Sequence, residues 1–336
     1  MHERQEQTGG FAPDPATLSG HNADVYFLRS RQILEAEGLD PVVTMEVFAR
    51  RRGLLCGMEE VAALLGRVLP GGEAWALGDG DWVDPLEVVL RICGRYRAFG
   101  TYETALLGML ASGTGWATAA AACTEAAQGR PVISFGARHL HPAATRYMEY
   151  AACVGGCAGC ATPAGAELAG MEPSGTIPHA LILSMGDTVA ATAAFDRHID
   201  PAVNRIALVD TYGDEADESV RCAAALGERL WGVRLDTPSE LGGVTPELVG
   251  RVRRALDQDG HGHVRIVVSG GMTPERMGAF LAAGAPVDAF GVGSVISGAA
   301  PIDFTADLKE VDGRPVAKRG RRPGRTENAR LQRLEL

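Results

Sequence analysis

Lysine is nearly absent from this 336-residue chain. Thirty of its 32 basic residues are arginines, and the two lysines are Lys309 and Lys318. A Walker-type phosphate loop needs a lysine, and Schiff-base aldolases and pyridoxal enzymes need an amine nucleophile inside the fold. The sequence therefore excludes these chemistries for residues 1–308.

Positive charge is also in deficit, since the formal net charge is −10. This balance argues against general nucleic-acid binding. With 46% hydrophobic and 22% charged residues, the composition is that of a globular protein rather than a disordered or collagen-like chain.

No segment predicts secretion or insertion into a membrane. Residues 1–20 are polar and lack the apolar run of a signal peptide, so we expect a flexible N-terminal arm there. The stretch between Glu103 and Glu125 has the length of a membrane span, but small polar residues interrupt it, and we predict a buried helix. Seven cysteines, an odd number, indicate reduced thiols in a cytoplasmic protein.

Short apolar runs alternate with amphipathic segments after residue 130. The predicted strands are Val132–Phe135, Ile206–Asp210, Gly232–Asp236, Val264–Ser269 and Val287–Gly291, with weaker candidates near Gly159–Thr162 and Gly175. The predicted helices are Asp217–Arg229, Thr245–Asp257 and Pro274–Ala283. This alternation is typical of βα units around a parallel sheet and predicts an α/β barrel.

The chain is predicted to divide into three folded parts after the arm. Residues 21–130 have the texture of a mixed α/β domain, residues 131–300 form the barrel, and residues 301–336 are a C-terminal segment. Residues 309–336 carry nine Lys or Arg against four Asp or Glu. We interpret this basic tail as solvated or packed at an edge, and an RNA-binding tail is the alternative.

Two glycine-rich turns are the strongest local signal for a ligand. Ser269-Gly270-Gly271 and Gly291-Val292-Gly293 each end a hydrophobic run, with one helix between them. The last two βα loops of a barrel commonly bind phosphate, because glycine lets backbone N–H groups approach the anion. The turns therefore predict a phosphate-bearing substrate, and the alternative is that they only make tight connections.

Charged residues stand at the ends of the other predicted strands. Asp210 and Asp236 are suited to Mg²⁺ or to the hydroxyls of a sugar, although each could instead cap the helix that follows. Arg234 lies within a barrel strand and must be paired there, with an aspartate or with an anion. Arg138, just after the first strand, could grip a carboxylate or a phosphate.

The histidines by themselves favour modest roles. His139 and His141 resemble a metal-binding pair, but no third ligand has a suitable spacing, so a metal is the less favoured interpretation. His179 precedes the apolar run Ala180–Met185, where a histidine is more often a helix-start or packing residue than a catalyst.

Three cysteines have the spacing of the radical-SAM iron–sulfur motif. Cys153, Cys157 and Cys160 could in principle hold such a cluster. They follow a helical run in mid-chain, however, and Gly159 stands where that motif has an aromatic residue. We favour close packing of a helix on a strand.

Eight motifs, in order along the chain, resemble the type II phosphoribosyltransferases and, within them, the nicotinate phosphoribosyltransferases. They are Asp24-Val25-Tyr26-Phe27, Tyr102-Glu103-Thr104-Ala105-Leu106-Leu107-Gly108, Phe135-Gly136-Ala137-Arg138-His139, Gly175-Thr176-Ile177-Pro178-His179-Ala180, Val209-Asp210-Thr211-Tyr212, Gly232-Val233-Arg234-Leu235-Asp236, Ser269-Gly270-Gly271 and Gly291-Val292-Gly293. The resemblance extends from Asp24 to Arg325 and so covers most of the chain.

The resemblance implies a fold and an activity. It implies an incomplete α/β barrel and an N-terminal α/β domain to which the C-terminal segment returns, in a homodimer or higher oligomer whose active sites are shared. The implied reaction, in NAD salvage, converts nicotinate and 5-phosphoribosyl 1-pyrophosphate into nicotinate mononucleotide and pyrophosphate, with Mg²⁺ and with ATP as a co-substrate. Nicotinate has a nucleophilic ring nitrogen, so no general base is required.

The resemblance also implies the site residues. The implied catalytic residues are His179, Asp210, Arg234 and Asp236; the implied substrate-binding residues are Tyr26, Phe135, Arg138, Thr176, Ser269, Gly270, Gly271, Gly291 and Gly293; Asp210 and Asp236 would hold Mg²⁺. By the same resemblance His179 would be phosphorylated by ATP, and Tyr26 would stack on the pyridine ring across the dimer.

The chain also departs from that family's pattern. His139 stands where the family often has a second arginine, and a C-terminal zinc-binding cysteine cluster of some relatives is missing, so neither zinc nor an iron–sulfur cluster is expected. The nearest alternatives are quinolinate phosphoribosyltransferase, which uses barrel lysines as well as arginines, and a related phosphoribosyltransferase for another pyridine acid. An iron–sulfur protein and a non-catalytic phosphosugar-binding module are the alternatives from other classes.

Overall fold

The computed structural model describes residues 10–336, so residues 1–9 of the predicted arm lie outside the described part. The helices are α1 (Pro15–Leu18), α2 (Val25–Ala36), α3 (Met58–Val68), α4 (Tyr96–Phe99), α5 (Glu103–Ala126), α6 (Pro142–Val154), α7 (Pro163–Leu168), α8 (His179–Met185), α9 (Thr188–His198), α10 (Glu215–Leu226), α11 (Pro246–Gln258), α12 (Pro274–Ala282) and α13 (Ser294–Ser297). The strands are β1 (Val42–Ala49), β2 (Gly53–Leu54), β3 (Glu73–Ala76), β4 (Trp82–Val83), β5 (Val88–Arg95), β6 (Val132–Ser134), β7 (Gly159–Cys160), β8 (Arg205–Leu208), β9 (Leu230–Leu235), β10 (Arg265–Val268), β11 (Ala289–Val292), β12 (Phe304–Val311), β13 (Arg314–Pro315) and β14 (Gln332–Arg333).

The chain forms two compact units. Among the described residues, the first unit comprises 10–119, 167–170 and 299–336, and the second comprises 120–166 and 171–298.

The first unit is built on a six-stranded sheet of order β13-β12-β1-β5-β3-β14. Strand β1 is central, and it pairs antiparallel with both β5 and β12. Because β12 and β14 come from the C-terminal segment, that segment returns to the N-terminal α/β domain, as predicted. Val43, Met45, Val47 and Ala49 of β1 are buried in the core of this unit.

The basic tail is tied to this sheet through a buried carboxylate. Glu46 on β1 is 2.8 Å from Arg91 and accepts a hydrogen bond from the backbone N–H of Thr326 at 3.0 Å. Lys309, also buried, donates to the carbonyl oxygen of Arg322 at 2.7 Å. Buried charges are stable only when they are paired, so these contacts hold residues 309–326 at the sheet.

Helix α5 is the predicted helix between Glu103 and Glu125. Within residues 10–336 the stretch Tyr96–Ala126 is the one stretch that, by length and composition alone, could span a membrane. Leu106 and Leu110 are fully buried and belong to the core of the first unit.

Glu103, the first residue of α5, makes stability depend on pH. Burial, reinforced by the negative charge of Asp307, raises the pKa of Glu103 from 4.5 to about 7. Between these two pH values the folded chain keeps a proton that the unfolded chain has lost. The free energy of unfolding therefore falls as the pH rises from 4.5 towards 7.

We expect Glu103→Gln to raise the free energy of unfolding at pH 8 by about 1 kcal/mol, a figure discounted for solvent screening, and to change it little near pH 4.5. Thermal melts over this pH range measure the difference. Glu59→Gln is the matched control, because Glu59 is an exposed acid in the first turn of α3. An equal effect of the two substitutions, or the same effect at both pH values, contradicts the assignment.

The second unit is built on a parallel six-stranded sheet of order β7-β6-β11-β10-β9-β8. Each of the five main predicted strands has its counterpart there, and the open sheet confirms the incomplete barrel. Two of the helices that connect these strands, α11 and α12, each begin with a proline that follows a threonine N-cap. Thr245 and Thr273 accept hydrogen bonds from backbone N–H groups of α11 and α12.

One weak prediction is wrong. The strand expected near Gly175 does not form, and residues 172–178 have no regular structure. Pro173 and Pro178 lie near the two ends of this segment, and proline has no N–H to donate to a sheet. A loop results, and it leads directly into α8.

Candidate active site

A cavity of about 340 Å³ opens at the carboxyl ends of β6, β9, β10 and β11. It is lined by Phe135, Arg138, His139, Arg234, Asp236, Ser269, Gly270, Gly271, Met272, Gly291, Gly293 and Ser294. Nine of the residues predicted for the site are therefore brought together here. Parallel strands bring them together because their carboxyl ends all lie at one edge of the sheet.

Arg234 is the centre of the polar network in this cavity. Its guanidinium donates to Asp236 Oδ2 at 2.9 Å, to Ser269 Oγ at 2.9 Å and to Thr176 Oγ1 at 3.3 Å. It also lies 4.8 Å from the centre of the Phe135 ring. Arg234 is thus paired with an aspartate, one of the two predicted arrangements. Asp236 is further held by Ser269, whose hydroxyl lies 2.8 Å from Oδ1.

His179 lies between two carboxylates at the start of α8. Its Nε2 is 3.6 Å from Asp210 Oδ2 and 3.9 Å from Asp236 Oδ2. Its Nδ1 is 3.0 Å from Thr211 Oγ1. With 40% of its side chain exposed, the imidazole remains accessible to a ligand. This geometry is not that of a packing residue.

Asp210 is a buried carboxylate without a hydrogen-bond partner. Only 2% of its side chain is exposed, and neither oxygen has a hydrogen-bond partner in the part of the chain that the structure describes. Burial raises its pKa, an effect that the nearby His179 opposes and the charge of Asp236 reinforces.

The donor set of Asp210 and Asp236 fits Mg²⁺. A buried carboxylate with unsatisfied oxygens calls for a cation, and Mg²⁺ is commonly held by one or two carboxylates together with substrate phosphates and water. The described residues contain no group of three or more acidic, His or Cys side chains arranged for a metal, so substrate would have to complete the coordination.

The glycines of both turns are required by their surroundings. Gly270 and Gly271 have φ of +83° and +61°, a region that other residues rarely adopt. At Gly291 a Cβ atom would lie 2.4 Å from the Phe135 ring, and at Gly293 it would lie 2.9 Å from His139. The second turn thus makes room for two side chains that line the cavity.

Arg138 is a cation available to a ligand. It lines the cavity, it is exposed, and it forms no hydrogen bond or ion pair with residues 10–336. A guanidinium in this situation is suited to bidentate binding of a carboxylate or phosphate.

The two neighbouring histidines have separate roles. His139 lines the cavity, and its Nδ1 is 3.2 Å from Ser297 Oγ. His141 instead caps α6, since its Nδ1 accepts from the backbone N–H of Ala143. They do not form a metal pair.

Sequence reasoning did not identify His139, Met272 or Ser294 as lining residues, although adjacency to Arg138 and to the two glycine turns was a usable signal.

Tyr26 does not line the cavity. It belongs to α2 of the first unit, its side chain is 56% exposed, and its hydroxyl donates to Asp24 Oδ2 at 3.2 Å. Thr104 donates to the same Asp24 oxygen at 2.9 Å. The start of α2 is therefore tied to the start of α5.

The cysteine triplet is packed in the second unit. Cys157 and Cys160 are buried, and Cys153 lies 3.6 Å from the sulfur of Met171. Burial raises the pKa of Cys157 to about 12. Cysteine binds iron as a thiolate, and burial disfavours the thiolate form, so this environment disfavours an iron–sulfur cluster.

Two family models match the chain over most of its length. The model of the N-terminal domain of quinolinate phosphoribosyl transferase matches residues 24–113, and the model of the C-terminal domain matches residues 116–307.

Individual relatives point in the same direction. A nicotinate phosphoribosyltransferase of Mycobacterium tuberculosis is 33% identical over 270 residues, which is 78% of this chain and 57% of that protein. The chain thus spans little more than half the length of this curated relative.

Solved structures are similar as well. The crystal structure of a nicotinate-nucleotide pyrophosphorylase from Pyrococcus furiosus is 44% identical with a TM-score of 0.85, covering 96% of this chain and 82% of that one. Human nicotinic acid phosphoribosyltransferase, at 19% identity, a TM-score of 0.73 and coverage of 90% and 77%, shares the fold.

Proposed function

Because this chain belongs to the quinolinate phosphoribosyl transferase family, we propose that it transfers 5-phosphoribose from 5-phosphoribosyl 1-pyrophosphate to nicotinate. The products are nicotinate mononucleotide and pyrophosphate, a reaction of NAD salvage. The observation that carries the proposal is the Arg234, Asp236 and Ser269 network in a cavity walled by two glycine turns.

The cavity suits a phosphorylated sugar. We propose that the turns at Gly270–Gly271 and Gly291–Gly293 bind the 5′-phosphate through backbone N–H groups. Arg138, which has no partner among residues 10–336, would bind an anionic group of a substrate. Fixing both ends of the substrate aligns C1 of the ribose with the attacking nitrogen.

The carboxylates suit the charge that develops in the reaction. When pyrophosphate leaves C1, positive charge grows on the ribose, and a negative group beside the ring stabilises it. Asp236, held by Arg234 and Ser269, is fixed for this role. Mg²⁺, held by Asp210 and Asp236, would neutralise the leaving pyrophosphate.

We propose that His179 accepts the γ-phosphate of ATP, so that hydrolysis of the phosphoimidazole drives the transfer. The exposed imidazole and its two flanking carboxylates support this role, because carboxylates that hold a proton on Nε2 make Nδ1, the opposite ring nitrogen, a better nucleophile.

Nicotinate is favoured over quinolinate by the cations at the site. Quinolinate carries a second carboxylate, and the described cavity offers Arg138, Arg234 and His139 but no lysine. The match to the quinolinate family models supports quinolinate as the second candidate.

A discontinuous assay separates these substrates. The purified protein is given 5-phosphoribosyl 1-pyrophosphate and Mg²⁺ with nicotinate, nicotinamide or quinolinate, each with and without ATP. We expect nucleotide from nicotinate alone. Product and CO₂ from quinolinate would replace the proposal with its alternative, and no product from any acceptor would contradict both.

We further propose a cytoplasmic homodimer with shared active sites, in which Tyr26 of one protomer stacks on the pyridine ring held by the other. The exposure of Tyr26 and its fixed hydroxyl support this assignment. Sedimentation equilibrium tests the dimer.

A further inference from the structure

Arg276 does not line the cavity, but it donates hydrogen bonds to backbone carbonyls of the first glycine turn. From α12, its Nη1 donates to the carbonyl oxygens of Gly270 at 2.9 Å and of Gly271 at 2.8 Å. Its Nη2 donates to the carbonyl oxygen of Val244 at 3.1 Å, in the loop before α11. We propose that Arg276 is a positioning residue that holds this turn in the conformation that binds phosphate.

Peptide geometry gives the reason. In a trans peptide the C=O and the N–H point in opposite directions. The carbonyl of Gly270 shares its peptide with the N–H of Gly271, and the carbonyl of Gly271 shares its peptide with the N–H of Met272. Because Arg276 holds both carbonyls on one side, both N–H groups are turned to the other side.

Those N–H groups are free to bind an anion. Gly271 and Met272 both line the cavity, and no backbone carbonyl of residues 10–336 accepts from the N–H of either residue. Two free, parallel donors in a cavity with a nearby free arginine are suited to a phosphate.

The turn needs such a clamp because it is made of glycine. Two consecutive glycines have many accessible backbone conformations, and a flip of either peptide would point a carbonyl oxygen at the phosphate. Arg276 has no ion pair with a carboxylate of residues 10–336, so its positive charge also favours an anion at this turn. Its own backbone is fixed by Thr273, whose hydroxyl accepts from the Arg276 N–H at 3.2 Å.

The inference rests on the proposed function and is tested with Arg276→Met, which keeps an unbranched stem and removes the donors. We expect the KM for 5-phosphoribosyl 1-pyrophosphate and the Kd for ribose 5-phosphate to rise about tenfold or more, as when a charge-assisted contact is lost. The kcat and the KM for nicotinate should stay within about threefold of wild type, since Arg276 does not line the cavity. Arg276→Lys should recover part of the affinity.

Arg253→Met is the matched control. Arg253, on α11 of the same unit, also donates to two loop carbonyls, those of Val264 at 2.6 Å and His261 at 3.1 Å, but it lies at the opposite end of β10. This variant should lower the melting temperature as much as Arg276→Met does and leave the Kd for ribose 5-phosphate unchanged.

Binding of ribose 5-phosphate by the wild type and the two variants distinguishes failure of the inference from failure of the proposed function. If wild-type protein binds ribose 5-phosphate and Arg276→Met binds it equally well, the clamp is structural and the inference is overturned while the proposed function stands. Equal weakening by Arg253→Met overturns it too, as a general effect of stability. If the wild-type protein neither binds ribose 5-phosphate nor turns over, the proposed function fails and the inference fails with it.

Discussion

We expect Asp236→Asn to lower the turnover of the proposed phosphoribosyl transfer by about 10³-fold while the protein stays folded. The amide has almost the same shape as the carboxylate, so the neighbouring turns keep their packing. The negative charge beside the ribose is lost, however, and with it the stabilisation of the positive charge that develops at C1. Since the charge at C1 arises only in the transition state, this loss falls on kcat; weaker binding of Mg²⁺ would in addition raise the KM for 5-phosphoribosyl 1-pyrophosphate.

Initial rates at saturating nicotinate and 5-phosphoribosyl 1-pyrophosphate, together with a thermal melt, measure this prediction. Asp259→Asn is the matched control, because Asp259 also pairs with a neighbour, His261 at 3.1 Å, but does not line the cavity. Turnover within about fivefold of wild type in a folded Asp236→Asn protein would remove Asp236 from the catalytic residues.

We expect His179→Gln to abolish the proposed stimulation by ATP and to leave a slow basal transfer. Glutamine can still hydrogen-bond to Thr211, but it has no ring nitrogen able to take a phosphoryl group. We expect the basal reaction to persist, because the turns and Arg138, which we propose to bind the sugar and the acceptor, are unchanged. We expect the rate without ATP to stay within about threefold of wild type.

Rates with and without ATP, and the incorporation of acid-labile radioactive phosphate from γ-labelled ATP, test this role. His263→Gln, which alters a histidine of the same unit outside the cavity, should behave as wild type. Undiminished ATP stimulation in His179→Gln would exclude His179 as the phosphate acceptor, and a wild-type protein indifferent to ATP would exclude the coupling itself.

Much of the second unit was predictable because local rules govern it. Strands such as Ile206–Asp210 are recognisable from a run of apolar residues that ends in a charged one. Their neighbours in space followed from topology, since parallel strands present their carboxyl ends at one edge. The register sets Val267 beside Arg234, and two residues further along each strand direction Ser269 meets Asp236.

The role of His179 was not predictable from the residues alone. An isolated histidine before an apolar helix is more often structural, and only the resemblance to a family singled it out. In the structure Asp210, 31 positions later in the chain, and Asp236, 57 positions later, both face its Nε2. No local pattern encodes contacts at such separations.

The sequence by itself determined the types of elements, the glycine turns and the scarcity of lysine, because propensity, periodicity and composition are properties of short segments or of the whole chain. Only the tertiary structure decided that Arg234 pairs with Asp236, that Asp210 is left without a hydrogen-bond partner among the described residues, and that Arg276 holds the turn at Gly270. Each of these depends on which of many equivalent charged groups meet, and the packing of strands and helices makes that choice.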